Sequence, residues 1–215
     1  MKNDKSIEIA KIHCHLNDRE NYDDAYVVES PAGTKEWFVN GKHHRTDGPA
    51  IERFDGKKVW CINGEYHRED GPAVEEPDGS TEWRQNGKYH REGGPAVQTS
   101  DGSCRWYING IIHREDGPAI VSSDGTKQWY LNGLKHREDG PAISYSDGGY
   151  VWFLNNQMHR ADGPAVEHSN GYRAWFLQGI EIAEKEFNQW LIKKELNEKL
   201  QVVLEKKPTA KRLKI

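Results

Sequence analysis

The feature that most constrains this chain is a period. A block reading His-Arg, two variable residues and Gly-Pro-Ala begins at His44, His67, His90, His113, His136 and His159, always 23 residues apart. Trp37, Trp60, Trp83, Trp106, Trp129, Trp152 and Trp175 keep the same step, and so do Gly33, Gly56, Gly79, Gly102, Gly125, Gly148 and Gly171. Taken singly, "HRED" suggests acid–base chemistry or the start of a kinase catalytic loop. An active site, however, is assembled once from unlike residues, whereas a motif copied at a fixed interval is an architectural unit that buries its apolar face against its neighbours. A kinase would also need a Gly-rich loop, a strand lysine and Asp-Phe-Gly. The sequence has none of these.

Composition agrees with a thin array. Of 215 residues, 35% are hydrophobic and 30% charged, too polar for a thick two-layer core. Aromatic residues reach 10%, which argues against disorder across the repeats. The net charge of −4 speaks against a general nucleic-acid binder. Cys14, Cys61 and Cys104 have no metal-ligand spacing and leave one cysteine unpaired, which points to a reducing, intracellular setting. No apolar run approaches the ~20 residues of a membrane span, and "MKNDKSIEIA" does not read as a signal peptide.

One repeat, Gly125 to Asp147, shows the local logic. Asn132-Gly133 is a type I′ hairpin signal, since both central residues must accept positive φ. Asp147-Gly148 reads as a second two-residue turn. Between them, "TKQWYL" and "AISYS" are rich in β-branched and aromatic residues. The expected fold class is all-β: an elongated, single-layer antiparallel meander with two strands per 23-residue repeat, followed by a C-terminal α-helical segment. Two-residue turns would set Ile120 opposite Trp129 and Trp129 opposite His136. The same register gives Val74–Trp83–His90 and Val97–Trp106–His113, hence a continuous stripe of Trp and Ile/Val. "REDGPA" then has to step the chain sideways from one hairpin to the next. Gly140 is expected to take an unusual φ there, Pro141 to fix the next one, and Arg137 to pair with an acid or cover a Trp face.

The His ladder is a poor metal site. Equivalent residues two strands apart are separated by about 9.5 Å, whereas ligands sit ~2 Å from a shared ion. The Arg ladder is largely neutralised by Asp47, Asp70, Asp116, Asp139 and Asp162; the third full repeat departs, with Gly93 in the Asp position. The expectations are therefore no metal, no cofactor and no enzymatic activity. Trp37 to Trp175 and His44 to His159 serve as structural repeat residues.

The array is expected to span 33–179. It is preceded by an N-terminal segment, 1–32, holding a degenerate capping repeat in which Cys14 replaces Trp, Asn17-Asp18 replaces Asn-Gly, and Val28 stands opposite Trp37. "GYRAWFLQG" opens a further repeat, in which Gly179 still turns but no His-Arg follows. Residues 180–206 read as helical, with one apolar stripe from Phe187, Trp190 and Leu191 and another from Leu196, Leu200, Val203 and Leu204. Their poor phasing predicts a break near Leu196-Asn197. The helix either covers the last sheet edge or binds a partner. A basic tail, 207–215, completes the chain.

The segment "DGTKQWYLNGLKH" resembles the MORN repeat, which shares the 23-residue period, the central aromatic-x-x-Asn-Gly-x-x-His and the closing Asp-Gly. The resemblance covers about 10–180 and ends after the His, where MORN repeats carry Gly-x-Gly and this chain has Arg-x-Asp-Gly-Pro-Ala. The variant looks like uncharacterised repeat proteins of bacteriophages and giant viruses. It implies an elongated single-layer sheet acting as an interaction platform, membrane-associated scaffold or dimerisation module, with no catalytic residues to carry over. The acidic array speaks against the membrane role.

The function these observations imply is a non-enzymatic protein-interaction module or scaffold, a viral (phage) protein that binds and inhibits a host protein, with a homodimer as a second option. Its place would be the host cytoplasm, or the nucleus in a eukaryotic host. Partner-binding candidates on the face away from Trp are Phe38, Tyr66, Arg84, Tyr89, Tyr107, Tyr130, Phe153 and Phe176, joined by Trp190 and the basic Lys206, Lys207, Lys211, Arg212 and Lys214. The alternative is nucleic-acid binding by base stacking on that aromatic face, at ~1–3 kcal/mol per base, helped by the basic tail.

Overall fold

The computed structural model describes residues 8–10, for which only the backbone is considered, and 25–205. The chain divides into two compact units, Met1–Leu134 and Lys135–Ile215. Each is built of antiparallel strands in meander order, and the second ends in a single helix.

In the first unit Glu8–Ala10 pairs with Ala25–Glu29, which pairs with Lys35–Val39. The meander continues through Ile51–Glu52, Lys58–Val59, Val74–Glu75, Thr81–Glu82, Val97–Gln98, Cys104–Arg105 and Ile120–Val121 to Lys127–Gln128. The second unit repeats the pattern from Ile143–Ser144 through Tyr150–Val151 and Val166–Glu167 to Arg173–Leu177 and Ile180–Ile182. In the inner repeats both strands are interrupted, the first at the Trp and the second by the Arg-to-Pro crank. The segment after each Trp forms a small hairpin of its own, as in Cys61–Ile62 with Glu65–Tyr66 or Phe153–Leu154 with Gln157–Met158.

The Asn-Gly turns are type I′, as Asn63 (φ 52°) with Gly64 (φ 86°) shows. They set the expected hairpin register: Tyr107 faces Ile112, and the His113 amide donates to the Trp106 carbonyl at 3.2 Å. The Asp-Gly turns differ from expectation. Gly125 has φ 90° while Asp124 is not in the left-handed region, the Gly125 N–H donates to Ser122 O, and the Ser122 N–H donates to Thr126 O, both at 2.9 Å. This is a three-residue loop, a type I turn closed by a glycine bulge. The Asp side chain completes it by accepting the N–H two residues on, at 2.8 Å for Asp124 and Thr126.

One extra loop residue slips the register by one, and a one-residue slip exchanges the faces. Ile120 therefore faces Gln128 rather than Trp129, Val74 faces Glu82 rather than Trp83, and Val97 faces Arg105 rather than Trp106. At the start of the array Val27, not Val28, faces Trp37. The expected Trp-Ile/Val stripe does not form. In five repeats the residue level with the Trp is the Ala of Gly-Pro-Ala, whose carbonyl accepts the Trp amide, as Ala73 does from Trp60 at 2.8 Å.

The core follows from that slip. Ala50, Ala73, Ala96, Ala119, Ala142 and Ala165 are all 0% exposed. Val59, Cys61 and Val74 pack with Ala50 in the first unit, with Ile51 and Tyr66 against them. Ile143, Val151, Phe153, Val166 and Ala174 pack with Ala142 in the second, with Met158 and Phe176 against them. Every Trp of the array is only half-buried.

The helix runs unbroken over Glu184–Glu205. The expected break near Leu196-Asn197 is absent. Phe187 is its only buried residue, and the helix touches the strand Arg173–Leu177. Beyond it Ile192, Leu196, Leu200, Val202, Val203 and Leu204 are all exposed. The poor phasing is real, and its consequence is an apolar stripe left open rather than a second helix. Among the described residues, no helix is long and apolar enough to cross a membrane.

Candidate functional site

The repeated crank is held by its own charged groups. In five of the cranks the arginine lies flat on the Trp eight residues earlier: Arg45 on Trp37 and Arg68 on Trp60 at 4.1 Å, Arg91 on Trp83 at 4.0 Å, Arg114 on Trp106 at 4.2 Å, Arg160 on Trp152 at 4.4 Å. Cation–π contact of this kind contributes about 0.5–2 kcal/mol. The guanidinium's other face meets the glycine of Gly-Pro-Ala. A Cβ on Gly71 would stand 2.5 Å from Arg68 Cζ, and one on Gly140 would stand 2.7 Å from Arg137 Cζ. The expected reason for Gly140, an unusual φ, is corrected: it is not in the left-handed region, and what its position lacks is room for a side chain.

The edge of the guanidinium is used as well. Arg68 Nε donates to Asp70 at 2.9 Å, and its Nη1 donates to Pro72 O at 3.3 Å and to Glu75 at 3.1 Å. Arg137 likewise donates to Asp139 at 2.8 Å and to Pro141 O at 3.4 Å. The hydrogen bond from the arginine holds the carboxyls of Asp47, Asp70, Asp116 and Asp139 below the usual carboxylate range.

The histidines have a role that counting did not reveal. His67 Nδ1 accepts the backbone N–H of Asn86 at 3.2 Å, and His90 Nδ1 that of Asn109 at 3.1 Å. His44, His113, His136 and His159 do the same for Asn63, Asn132, Asn155 and Gln178. Each histidine therefore fastens the tight turn of the following repeat. The turn residue's side chain meets the same nitrogen, with Asn86 Oδ1 3.0 Å from His67 Nδ1 and Asn109 Oδ1 3.0 Å from His90 Nδ1. The fixed spacing of 19 residues from His to the next turn residue was the available signal.

The candidate aromatic face is a ladder that packs on itself. Tyr66, Arg84, Tyr89 and Tyr107 are contiguous: Arg84 lies 3.7 Å from the Tyr89 ring and 5.4 Å from Tyr66, and the Tyr89 ring is tilted against Tyr107 at 5.2 Å. Arg84 also pairs with Glu82 at 2.9 Å, and the Tyr89 hydroxyl donates to the same carboxylate at 3.3 Å. Burial pushes the Tyr89 and Tyr130 hydroxyls up. Phe38 stacks on Tyr26 at 5.0 Å, and His43 is tilted against it at 4.4 Å. Phe153 is 9% exposed and belongs to the core, with Phe176 packed against it. Trp190 rests on Phe187 at 5.7 Å, with Lys194 over it at 5.4 Å. Lys206, Lys207, Lys211, Arg212, Lys214 and the Cys14 repeat lie outside the described residues.

Two clefts open beside the cranks. One, of about 560 Å³, is lined by Arg91, Gly93, Trp106, Ile108, His113 and Arg114 among others. The second, of about 460 Å³, lies between the cranks of Arg137 and Arg160 and includes Lys194 of the helix. Among the described residues no cluster of His, Cys, Asp or Glu is placed to hold a metal ion. No protein-family model matches the sequence, and comparison with curated proteins gives no match.

Proposed function

We propose that this chain is a non-enzymatic, MORN-like protein-interaction module of viral origin that acts inside a host cell by binding, and inhibiting, a host protein. The observation that carries the reading is the C-terminal helix. It buries only Phe187 and leaves Ile192, Leu196, Leu200 and Val203 between 54% and 67% exposed. Apolar side chains held open on a regular helix are the usual mark of a protein contact. The cranks support the same conclusion from the other side, because their His groups and, outside the third repeat, their Arg–Asp pairs are engaged in holding the repeats. The viral origin rests on the sequence resemblance alone.

The test compares the full chain with L196D/L200D, which keeps the array and changes only the stripe. Each is tagged, captured from host lysate with and without nuclease, and the eluate is sized by light scattering. A host protein present at fixed stoichiometry with the full chain and lost with L196D/L200D is the expected result. A full chain that elutes alone would overturn the reading. Exclusively nuclease-sensitive material would replace it with nucleic-acid binding, and self-association lost in the variant would replace it with a homodimer.

A further inference from the structure

Of the arginine cranks, that of Arg91 lacks its acids. In the equivalent positions Arg45, Arg68, Arg114, Arg137 and Arg160 donate through Nε to Asp47, Asp70, Asp116, Asp139 and Asp162 at 2.7 to 2.9 Å. The third repeat has Gly93 where that aspartate stands. Arg45 and Arg68 have a further acceptor in Glu52 and Glu75, both at 3.1 Å, and here the third repeat has Gln98. Arg91 keeps its place on Trp83 at 4.0 Å and its bond to Pro95 O at 3.2 Å. Among the described residues, no carboxylate forms an ion pair with it, although it is only half-buried. The space in front is open: a Cβ on Gly93 would meet nothing within 4 Å, and the 560 Å³ cleft begins there.

We infer that the cleft between Arg91 and Trp106 is a carboxylate-binding site that takes the side chain of a glutamate or aspartate from a protein partner. A guanidinium held flat by an indole offers its N–H edge in a fixed plane, the geometry that recognises a carboxylate. The neighbouring repeats show what fits this edge, since each fills it with a carboxylate of its own. Trp106 and Ile108 provide an apolar wall for the methylenes of a glutamate. Glu92, Glu115 and Asp116 also line the cleft and oppose a polyanion such as nucleic acid, while a single carboxylate facing Arg91 meets its cation directly. The identity of the ligand as a protein side chain rests on the proposed interaction function; the site itself does not.

The experiment uses the full chain labelled with ¹⁵N-arginine and follows the Nε–Hε resonances while N-acetylglutamate amide is added, with sodium chloride at equal ionic strength as control and inorganic phosphate as the competing anion. The expected result is a saturable shift confined to Arg91 and lost in Gln98→Glu, which restores the acceptor that Glu52 and Glu75 give Arg45 and Arg68; Gly93, at φ 73°, is left unchanged because a side chain there would strain the backbone. An unfolding midpoint of Gln98→Glu equal to or above that of the parent shows that the fold is kept. A shift shared equally by all crank arginines, an unaltered response in Gln98→Glu, or no saturation beyond the chloride control would overturn the site. Phosphate binding about tenfold tighter than the carboxylate would overturn its selectivity. A carboxylate response in a chain that captures no host protein would retain the site and remove the interaction function; a captured partner without a carboxylate response would do the reverse.

Discussion

Gly71→Ala tests the crank most directly. Glycine is the least favourable residue for chain entropy, and Gly71 is not in the left-handed region. An alanine that fitted would therefore stabilise the chain by about 0.4–1 kcal/mol through the unfolded state. The structure argues the opposite sign. The new Cβ would lie 2.5 Å from Arg68 Cζ, 2.7 Å from Nε and 2.8 Å from Nη2, well inside contact distance, with the Trp60 indole 4.1 Å away on the other side. The guanidinium cannot retreat into the indole, so it must leave. Its departure removes the cation–π contact, about 0.5–2 kcal/mol, and the charged hydrogen bond to the Pro72 carbonyl, about 1.5–3 kcal/mol. After the entropic gain the net is a loss of about 1–4.6 kcal/mol. Urea unfolding followed by Trp fluorescence reads it as a lower midpoint. Since repeat arrays do not always unfold in one step, the decisive measurement is the double-mutant cycle. In an Arg68→Ala background Gly71→Ala should be neutral or stabilising. Gly71→Ala that stabilises the parent chain, or that destabilises both backgrounds equally, would refute the sandwich.

Other consequences are simpler to check. Burial pushes the Cys61 thiol up to about 11, whereas Cys104 is partly exposed; maleimide at pH 7.5 should label Cys104 in the folded chain and Cys61 only in denaturant, as peptide mass spectrometry will show. The folded pKa values of Asp47, Asp70, Asp116 and Asp139 lie below their unfolded values. Their contribution is thus fully present above about pH 4 and is lost as pH falls through the folded values. The urea midpoint should drop in that acid window, and less steeply in Asp70→Asn. Gln178 occupies the first position of the last tight turn at φ 52°, where every other such turn uses Asn. Gln178→Asn should raise the thermal midpoint, with a gain of up to about 1 kcal/mol, and Gln178→Val should lower it.

Much of the fold was legible because the period, the Asn-Gly turns and the final helical pattern are local. Asn63 and Gly64 need positive φ whatever surrounds them, and that alone fixes the hairpin after each Trp. The register of the other turn was also written in the sequence and misread. In "EPDGS", Pro77 precedes Asp78-Gly79 where a type I turn favours proline, and the aspartate accepts the N–H of Ser80 at 2.9 Å. A loop of three residues instead of two sets Val74, Val97 and Ile120 opposite Glu82, Arg105 and Gln128 rather than opposite a Trp.

The rest depends on tertiary contact. That Gly71 yields space to Arg68, that His90 fastens a turn 19 residues away, and that Phe153 is core while Arg84 is surface are relations between segments remote in sequence. The sequence by itself determined a repeating antiparallel meander with a helix at its end, because turn chemistry and hydrophobic period act over a few residues. Only the tertiary structure decided which groups of each repeat are consumed in holding its neighbours, and so which remain open: the apolar stripe beyond Phe187 and the uncompensated edge of Arg91. That division follows from side-chain packing and charge pairing across repeats, which no single repeat contains.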